Sequence, residues 1–214
     1  MNERFISLEA LNIPAGIIND IKSIDRHSLV GSTSFGPKEC RQMFWSSFSL
    51  SDYWAFAKEY GFWFDRICTT DYHVLPDDLT MRVTDVMSEF FQKDLSNEIV
   101  IRLQSMHGRQ GTAWHIDPTR TASLIYPIEH QSSSKTCFYQ PVLDQTNGQE
   151  GMVNPKYYEY IDGVVINRYP ALLNVKQVHA VMFNNDTYTK ETPRLSLTVK
   201  WRTRDFEQVV NDLC

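Results

Sequence analysis

Residues 194–201 read RLSLTVKW, a stretch in which apolar and polar side chains alternate strictly. Successive side chains of a strand point to opposite faces. One face would carry Leu195, Leu197, Val199 and Trp201, and the other Arg194, Ser196, Thr198 and Lys200. A strand of this kind normally turns its polar face to solvent. In a barrel that encloses a site the polar face can look inward, where Arg194 would offer a planar fork suited to a carboxylate and Ser196 a hydroxyl donor.

The same two-residue period recurs along the chain from residue 98 up to this stretch. The segments are rich in β-branched and aromatic residues, are separated by short polar loops and are predicted to be strands. With the opening stretch they cover residues 98–106, 112–117, 121–128, 135–143, 162–169, 171–175, 178–183 and 194–201. Short strands at this spacing predict a mainly β fold, with either a double-stranded β-helix (jelly-roll, cupin-like) or a small barrel as its core.

The first part of the chain has a different, helical rhythm. Apolar residues at Leu79, Val83, Val86, Met87, Phe90 and Phe91 follow one face of a helix. Asp77 and Asp78 are candidate caps for its start, and residues 51–66 predict a second, aromatic-rich helix. We expect a single domain over 1–214, with mostly helical support in 1–97, the β-barrel core in 98–203 and a C-terminal helix in 204–214.

Composition sets limits on function. The chain has 214 residues, 42% of them hydrophobic, and a formal net charge of -5. This acidic balance gives no general attraction for nucleic acid or anionic membranes, and no run is long and apolar enough to span a membrane. The first residues lack the apolar core of a signal peptide, so a cytoplasmic location is expected. The four cysteines form no Cys-x-x-Cys pair, which favours reduced, packed thiols over a zinc ribbon or disulfide framework.

The stretch WHIDPTR (114–120) places His115 and Asp117 on one face of a predicted strand. Two ligands make a poor metal site, so a third is required. Among the other histidines, only His179 lies within a later strand of the β-rich half. Two histidines and one carboxylate form the facial triad that leaves one side of an octahedral iron(II) open.

The order of a His-x-Asp pair, a distal histidine and an Arg-x-Ser strand resembles the iron(II)- and 2-oxoglutarate-dependent oxygenases over about residues 98–203. The resemblance implies that the triad binds iron(II), with O2 and 2-oxoglutarate as co-substrates. It also implies that Arg194 and Ser196 bind the distal carboxylate of 2-oxoglutarate.

The stretches NVKQVHAVMFNN and PRLSLTVKW look most like those of the amino-acid and peptidyl hydroxylases. The likeness implies an enzyme that hydroxylates an amino-acid-like small molecule or a peptidyl side chain. The 14 residues between His179 and Arg194 are more than the tightest members of the family have, and the loop NNDTYTKETP accommodates the excess.

Other residues are candidates for ligand contacts. Arg102 and Gln104 share one face of the strand 98–106 and are predicted to touch substrate or to point to solvent. Arg120 is a further candidate for a substrate carboxylate or phosphate. Tyr126 is predicted to hydrogen-bond the keto acid or to be a buried structural tyrosine.

Two other functions remain open from the sequence. A cupin-like metal enzyme that does not use 2-oxoglutarate would keep its turnover without Arg194. A non-catalytic β-barrel binding protein would carry its His-x-Asp pair incidentally, and the loss of His115 or His179 would change neither metal content nor ligand affinity.

Overall fold

The computed structural model describes residues 4–29, 33–36, 67–109, 111–112, 115–117, 121–129, 134–141, 151–152, 158–164, 169–183 and 188–213. The strands are β1 (Phe5–Ser7), β2 (Thr33–Phe35), β3 (Thr69–His73), β4 (Ile99–His107), β5 (His115–Ile116), β6 (Ala122–Glu129), β7 (Ser134–Pro141), β8 (Gly151–Met152), β9 (Tyr158–Val164), β10 (Ala171–Asn174), β11 (Val178–Phe183) and β12 (Arg194–Trp201). The described α-helices are α1 (Ala15–Ser23), α2 (Asp77–Phe90) and α3 (Phe206–Asn211), and Arg26–Ser28 forms a 3-10 turn.

These strands form two antiparallel sheets. The larger has the order β1-β10-β6-β12-β4-β3-β2, and the smaller has the order β8-β5-β11-β7-β9. Strands distant in sequence are neighbours in both sheets, as in a jelly roll. The predicted double-stranded β-helix is confirmed.

The outer face of the larger sheet carries the main hydrophobic core. Leu195, Leu197 and Val199 of β12 are buried there in one cluster with apolar side chains of all three helices. The helical spacing predicted for α2 is confirmed, since Leu79, Val83 and Met87 face this core. Its predicted cap is corrected: Pro76 is the N-cap and makes no side-chain cap bond, while Asp77 and Asp78 lie in the first turn. There they stabilise the positive end of the helix dipole.

The inner face of the larger sheet looks toward the smaller sheet. Arg194, Ser196 and Thr198 are buried on this face, so the prediction that the polar side of β12 points inward is confirmed. Arg194 Nε donates a 2.8 Å hydrogen bond to Ser134 Oγ on the smaller sheet. A functional site between the sheets can therefore receive side chains from both.

The N-terminal part of the chain contains strands as well as helices. β1 pairs with β10, and β3 pairs with β4, so both extend the larger sheet beyond the barrel strands predicted from sequence. The helix predicted over 51–66 lies outside the described residues. Cys68 and Cys137 are free and buried, as expected for packed thiols. None of the described helices has the length and apolar character needed to cross a membrane.

Candidate metal centre

Two neighbouring strands of the smaller sheet bring the predicted metal ligands together. His115 on β5 is the register partner of His179 on β11, and their ring centroids are 4.4 Å apart. His115 Nε2 lies 3.7 Å from Asp117 Oδ1. One ligand atom from each of the three residues lies within 4.8 Å of the other two. His115 and His179, which are 64 positions apart in the sequence, are thus brought together by one strand pairing.

The backbone orients these side chains. His179 Nδ1 lies 2.9 Å from the carbonyl oxygen of Gln177, a contact in which the protonated Nδ1 donates and Nε2 becomes the lone-pair nitrogen. The amide of Asp117 donates a 3.0 Å hydrogen bond to the carbonyl of Val175, which leads into β11. Asp117 and His179 are buried, and His115 is half-buried. The partial exposure of His115 marks the side from which the centre can be reached.

The donor set fits a divalent transition metal. Two imidazole nitrogens and one carboxylate oxygen are the ligands of the facial triad that suits iron(II). With metal–ligand bonds of about 2.1 Å, adjacent ligand atoms lie about 3 Å apart, so small side-chain rotations suffice to close the set around one ion. The remaining positions of an octahedral ion would stay open for other ligands.

An apolar wall stands beside the centre. The ring of Phe138 on β7 lies 6.1 Å, centroid to centroid, from that of His179. Phe138 is buried in a cluster with Ile125, Ala171, Leu173 and Val175, and Phe5 stacks on it. Ile125 belongs to the larger sheet, so this cluster joins the two sheets at the level of the triad. Such a wall excludes water from one side of the site.

Arg194 is a fully buried cation on the facing sheet. Its Nε donates to Ser134 Oγ, and its Nη1 lies 3.0 Å from Met106 Sδ. Among the described residues no carboxylate forms an ion pair with it. Burial lowers the pKa of Arg194 to about 10, and the neighbouring Tyr188, Cys68 and Tyr72 offset part of that shift. The guanidinium is therefore charged at neutral pH without a described counter-ion.

Burial has the opposite effect on the nearby thiol. It raises the pKa of Cys68 to about 12, although the hydrogen bond with Thr70 and the charge of Arg194 favour the thiolate. Cys68 therefore remains protonated at neutral pH.

A chain of side-chain hydrogen bonds links three neighbouring strands beside Arg194. Ser196 Oγ donates a 2.9 Å bond to Gln104 Oε1, and Gln104 Nε2 donates a 3.2 Å bond to the hydroxyl of Tyr72. This geometry favours a role for Gln104 in holding Ser196 rather than in contacting substrate. Sequence reasoning missed Tyr72 and Ser134, because each depends on a pairing between distant strands that no local motif announces.

The remaining sequence candidates lie in different places. Arg102 is half-buried on the inner face, opposite Thr198, and Arg120 lies outside the described residues. The prediction that Tyr126 binds a keto acid is wrong. Tyr126 pairs with Leu197 on the outer face, and its hydroxyl accepts a 3.1 Å hydrogen bond from the amide of Ile13.

No protein-family model matches the sequence, and no curated protein matches it significantly. The solved structures of other proteins do match the fold. The epimerase SnoN, in complex with Fe3+, alpha ketoglutarate and nogalamycin RO, is 10% identical, and the match covers 94% of this chain and 79% of SnoN with a TM-score of 0.50. The chain shares the SnoN fold.

Two further structures are more distant. A prolyl-4-hydroxylase from Pseudomonas putida is 12% identical, with 88% of this chain and 98% of that chain covered and a TM-score of 0.37. HygX from Streptomyces hygroscopicus, with nickel, 2-oxoglutarate and hygromycin B bound, is 11% identical, with 80% and 82% covered and a TM-score of 0.37.

Proposed function

We propose that this protein is an iron(II)- and 2-oxoglutarate-dependent oxygenase that hydroxylates a small amino-acid-like molecule or a peptidyl side chain. The observation that carries the proposal is the convergence of His115, Asp117 and His179 within 4.8 Å of one another. SnoN, which shares the fold, was solved in complex with Fe3+ and alpha ketoglutarate.

The position of Arg194 supports 2-oxoglutarate as the co-substrate. The guanidinium is anchored to Ser134, four residues along β7 from Phe138, which is the register partner of His179. Four strand residues span about 13 Å. A five-carbon diacid with one end on the metal and the other on the Arg194 guanidinium would lie within that interval.

Each group in this arrangement has a distinct task. Bound iron(II) and 2-oxoglutarate would activate O2, so that one oxygen atom converts an unactivated C–H bond to C–OH and the other enters succinate as 2-oxoglutarate loses CO2. Arg194 would hold the distal carboxylate through its planar fork, and Ser196 would add a hydroxyl donor by turning its O–H from Gln104 Oε1 to the carboxylate. The wall around Phe138 would exclude water, and the half-buried His115 would face the side open to substrate.

The test is the visible absorption of the protein under anaerobic conditions. Addition of iron(II) and 2-oxoglutarate together should produce a weak charge-transfer band that neither produces alone. His179→Ala should abolish the band because the triad loses one ligand. His107→Ala is the matched control, because His107 lies near Asp71 on the other side of the larger sheet, and it should leave the band intact.

A substitution of Arg194 distinguishes the proposed oxygenase from a metal enzyme of the same fold that does not use 2-oxoglutarate. Arg194→Lys should weaken 2-oxoglutarate binding by about tenfold or more, because one point charge replaces a bidentate donor. It should leave iron(II) affinity unchanged. A wild-type protein that shows neither the band nor succinate formation would contradict the proposal.

A further inference from the structure

The chain crosses from the larger sheet to the smaller one in a single tight turn. β10 ends at Asn174 in the larger sheet, and β11 begins at Val178 in the smaller one. Residues 174–177 form a β-turn, which we call the crossover turn, closed by a 3.3 Å hydrogen bond from the amide of Gln177 to the carbonyl of Asn174. The crossover turn therefore lies directly before the strand that carries His179.

Two carbonyls of the crossover turn contact two of the three metal ligands. The carbonyl of Val175 accepts the 3.0 Å hydrogen bond from the amide of Asp117, and the carbonyl of Gln177 lies 2.9 Å from His179 Nδ1. Hydrogen-bond partners of this kind orient metal ligands and tune their affinity for the ion. A change in the conformation of this one turn would thus disturb Asp117 and His179 together.

The side chain of Asn174 holds the central peptide group of the crossover turn. Asn174 Oδ1 accepts a 3.3 Å hydrogen bond from the amide of Lys176, the contact that asparagine makes with the backbone two residues on in an Asx turn. That amide and the carbonyl of Val175 belong to one planar peptide group, in which N–H and C=O point in opposite directions. While Asn174 holds one end of this group, the other end is directed at Asp117.

Backbone hydrogen bonds hold the first residues of the crossover turn. The amide of Asn174 donates a 2.8 Å bond to the carbonyl of Arg4, and the amide of Val175 donates a 3.1 Å bond to the carbonyl of Thr121. Neither amide belongs to the central peptide group, whose rotation by roughly half a turn distinguishes type I from type II β-turns. The side chain of Asn174 opposes this rotation, which would turn the Val175 carbonyl away from Asp117.

We propose that Asn174 is a positioning residue of the metal centre. Its amide oxygen fixes the peptide group between Val175 and Lys176, so that Asp117 and His179 are oriented for one ion before the ion arrives. Ligands that are already ordered bind more tightly, because less conformational freedom is lost on binding. This inference rests on the metal site of the proposed function and adds a residue to it, and it does not depend on 2-oxoglutarate.

The test is a titration of the metal-free protein with cobalt(II), whose visible absorption band reports the geometry of imidazole and carboxylate ligands. Asn174→Ala should weaken cobalt(II) binding by about tenfold and change the shape of the band. Asn174→Asp, whose carboxylate oxygen accepts the same amide hydrogen bond, should restore the wild-type band. The band is decisive for Asn174→Asp, because the added negative charge also attracts the ion.

Asp94→Ala is the matched control, because Asp94 Oδ1 accepts a 2.9 Å hydrogen bond from the amide of Ser96, with the same two-residue spacing, at an exposed site. It should leave the cobalt(II) affinity and band unchanged. A wild-type affinity and band in Asn174→Ala, or equal changes in Asp94→Ala, would overturn the inference, and the near-isosteric Asn174→Leu gives the same comparison if the alanine variant does not fold. Cobalt(II) binding that is absent from the wild type, or that survives His179→Ala, would overturn the proposed metal site as well, and that failure is seen without any change at Asn174.

Discussion

At the scale of the single residue, Arg194 combines a functional gain with a cost in stability. Burial lowers its pKa from 12.5 to about 10, which corresponds to a cost of about 3 kcal/mol for keeping the folded state charged. The cost is present in full below pH 10, where the side chain is protonated in both states, and it is relieved as pH rises through the folded pKa. A bound dicarboxylate would offset this cost at neutral pH.

The substitution Arg194→Met tests that cost. A methionine of similar length leaves no buried charge, so the ligand-free protein should be unchanged in stability or more stable by up to about 3 kcal/mol. Urea unfolding monitored by fluorescence measures the difference. 2-Oxoglutarate added with metal should stabilise the wild type and not the variant. A variant destabilised by more than about 2 kcal/mol would show that the guanidinium is a structural group.

Residue orientation could be predicted where polar and apolar side chains alternate. The pattern of β12 identified Arg194 and Ser196 as sharing a face, and the spacing of His115 and Asp117 did the same for the triad. In β6 the run LIYPI is apolar on both faces, so its pattern does not distinguish inside from outside. The orientation of Tyr126 is set by its pairing with Leu197, which the sequence of β6 alone does not contain.

At the scale of the element, a two-residue segment, Gly111 and Thr112, binds β11 along its backbone, and we call this segment the strap. Gly111 forms a bridge with Met182, and Thr112 exchanges hydrogen bonds of 2.8 Å with Val181 through its amide and its hydroxyl. Gly111 has a φ of +92°, and a Cβ added there would lie 1.9 Å from the carbonyl oxygen of Val181. Val181 is two residues from His179, so the strap contacts the strand that carries this ligand.

Gly111→Ala should therefore lower both stability and metal affinity. The clash involves backbone atoms and the φ is unfavourable for alanine, so we expect a loss of at least about 2 kcal/mol in the free energy of unfolding. Gly16→Ala is the control, because a Cβ at Gly16 in α1 meets nothing within 4 Å and should stabilise the helix by about 0.5–1 kcal/mol. Chemical denaturation measures the free energy of unfolding, and a metal titration measures the metal affinity. If Gly111→Ala and Gly16→Ala changed these two quantities equally, the role of the strap would be contradicted.

The bounds of strands in which apolar and polar residues clearly alternate could be predicted closely from the sequence, and those of very short strands could not. The predicted strands 178–183 and 194–201 match β11 and β12, since both bury an apolar face. The strand predicted over 112–117 contracts to β5 (His115–Ile116). β1 and β2 have three residues each, too few to show a period, and β3 carries the polar sequence TTDYH. Tertiary pairing rather than local propensity holds these strands in place.

At the scale of the whole molecule, two facing sheets bring together groups that are distant in sequence. The smaller sheet and the residue that follows β5 carry His115, Asp117 and His179, the larger sheet carries Arg194, and the helices cover the outer side of the larger sheet. The chain has a net charge of -5, yet the inner face of the larger sheet is positive in its described strands. The overall composition therefore could not predict the positive charge of the inner face, because that charge depends on which faces of the strands meet.

The central claim is that one metal ion and one keto acid bridge the two sheets. The most direct measurement is anomalous X-ray diffraction from anaerobic crystals that contain iron(II) and 2-oxoglutarate. We expect an iron peak about 2.0–2.2 Å from ligand atoms of His115, Asp117 and His179, with the distal carboxylate of 2-oxoglutarate on the guanidinium of Arg194. An iron peak away from the triad, or a keto acid bound without contact to Arg194, would contradict the claim.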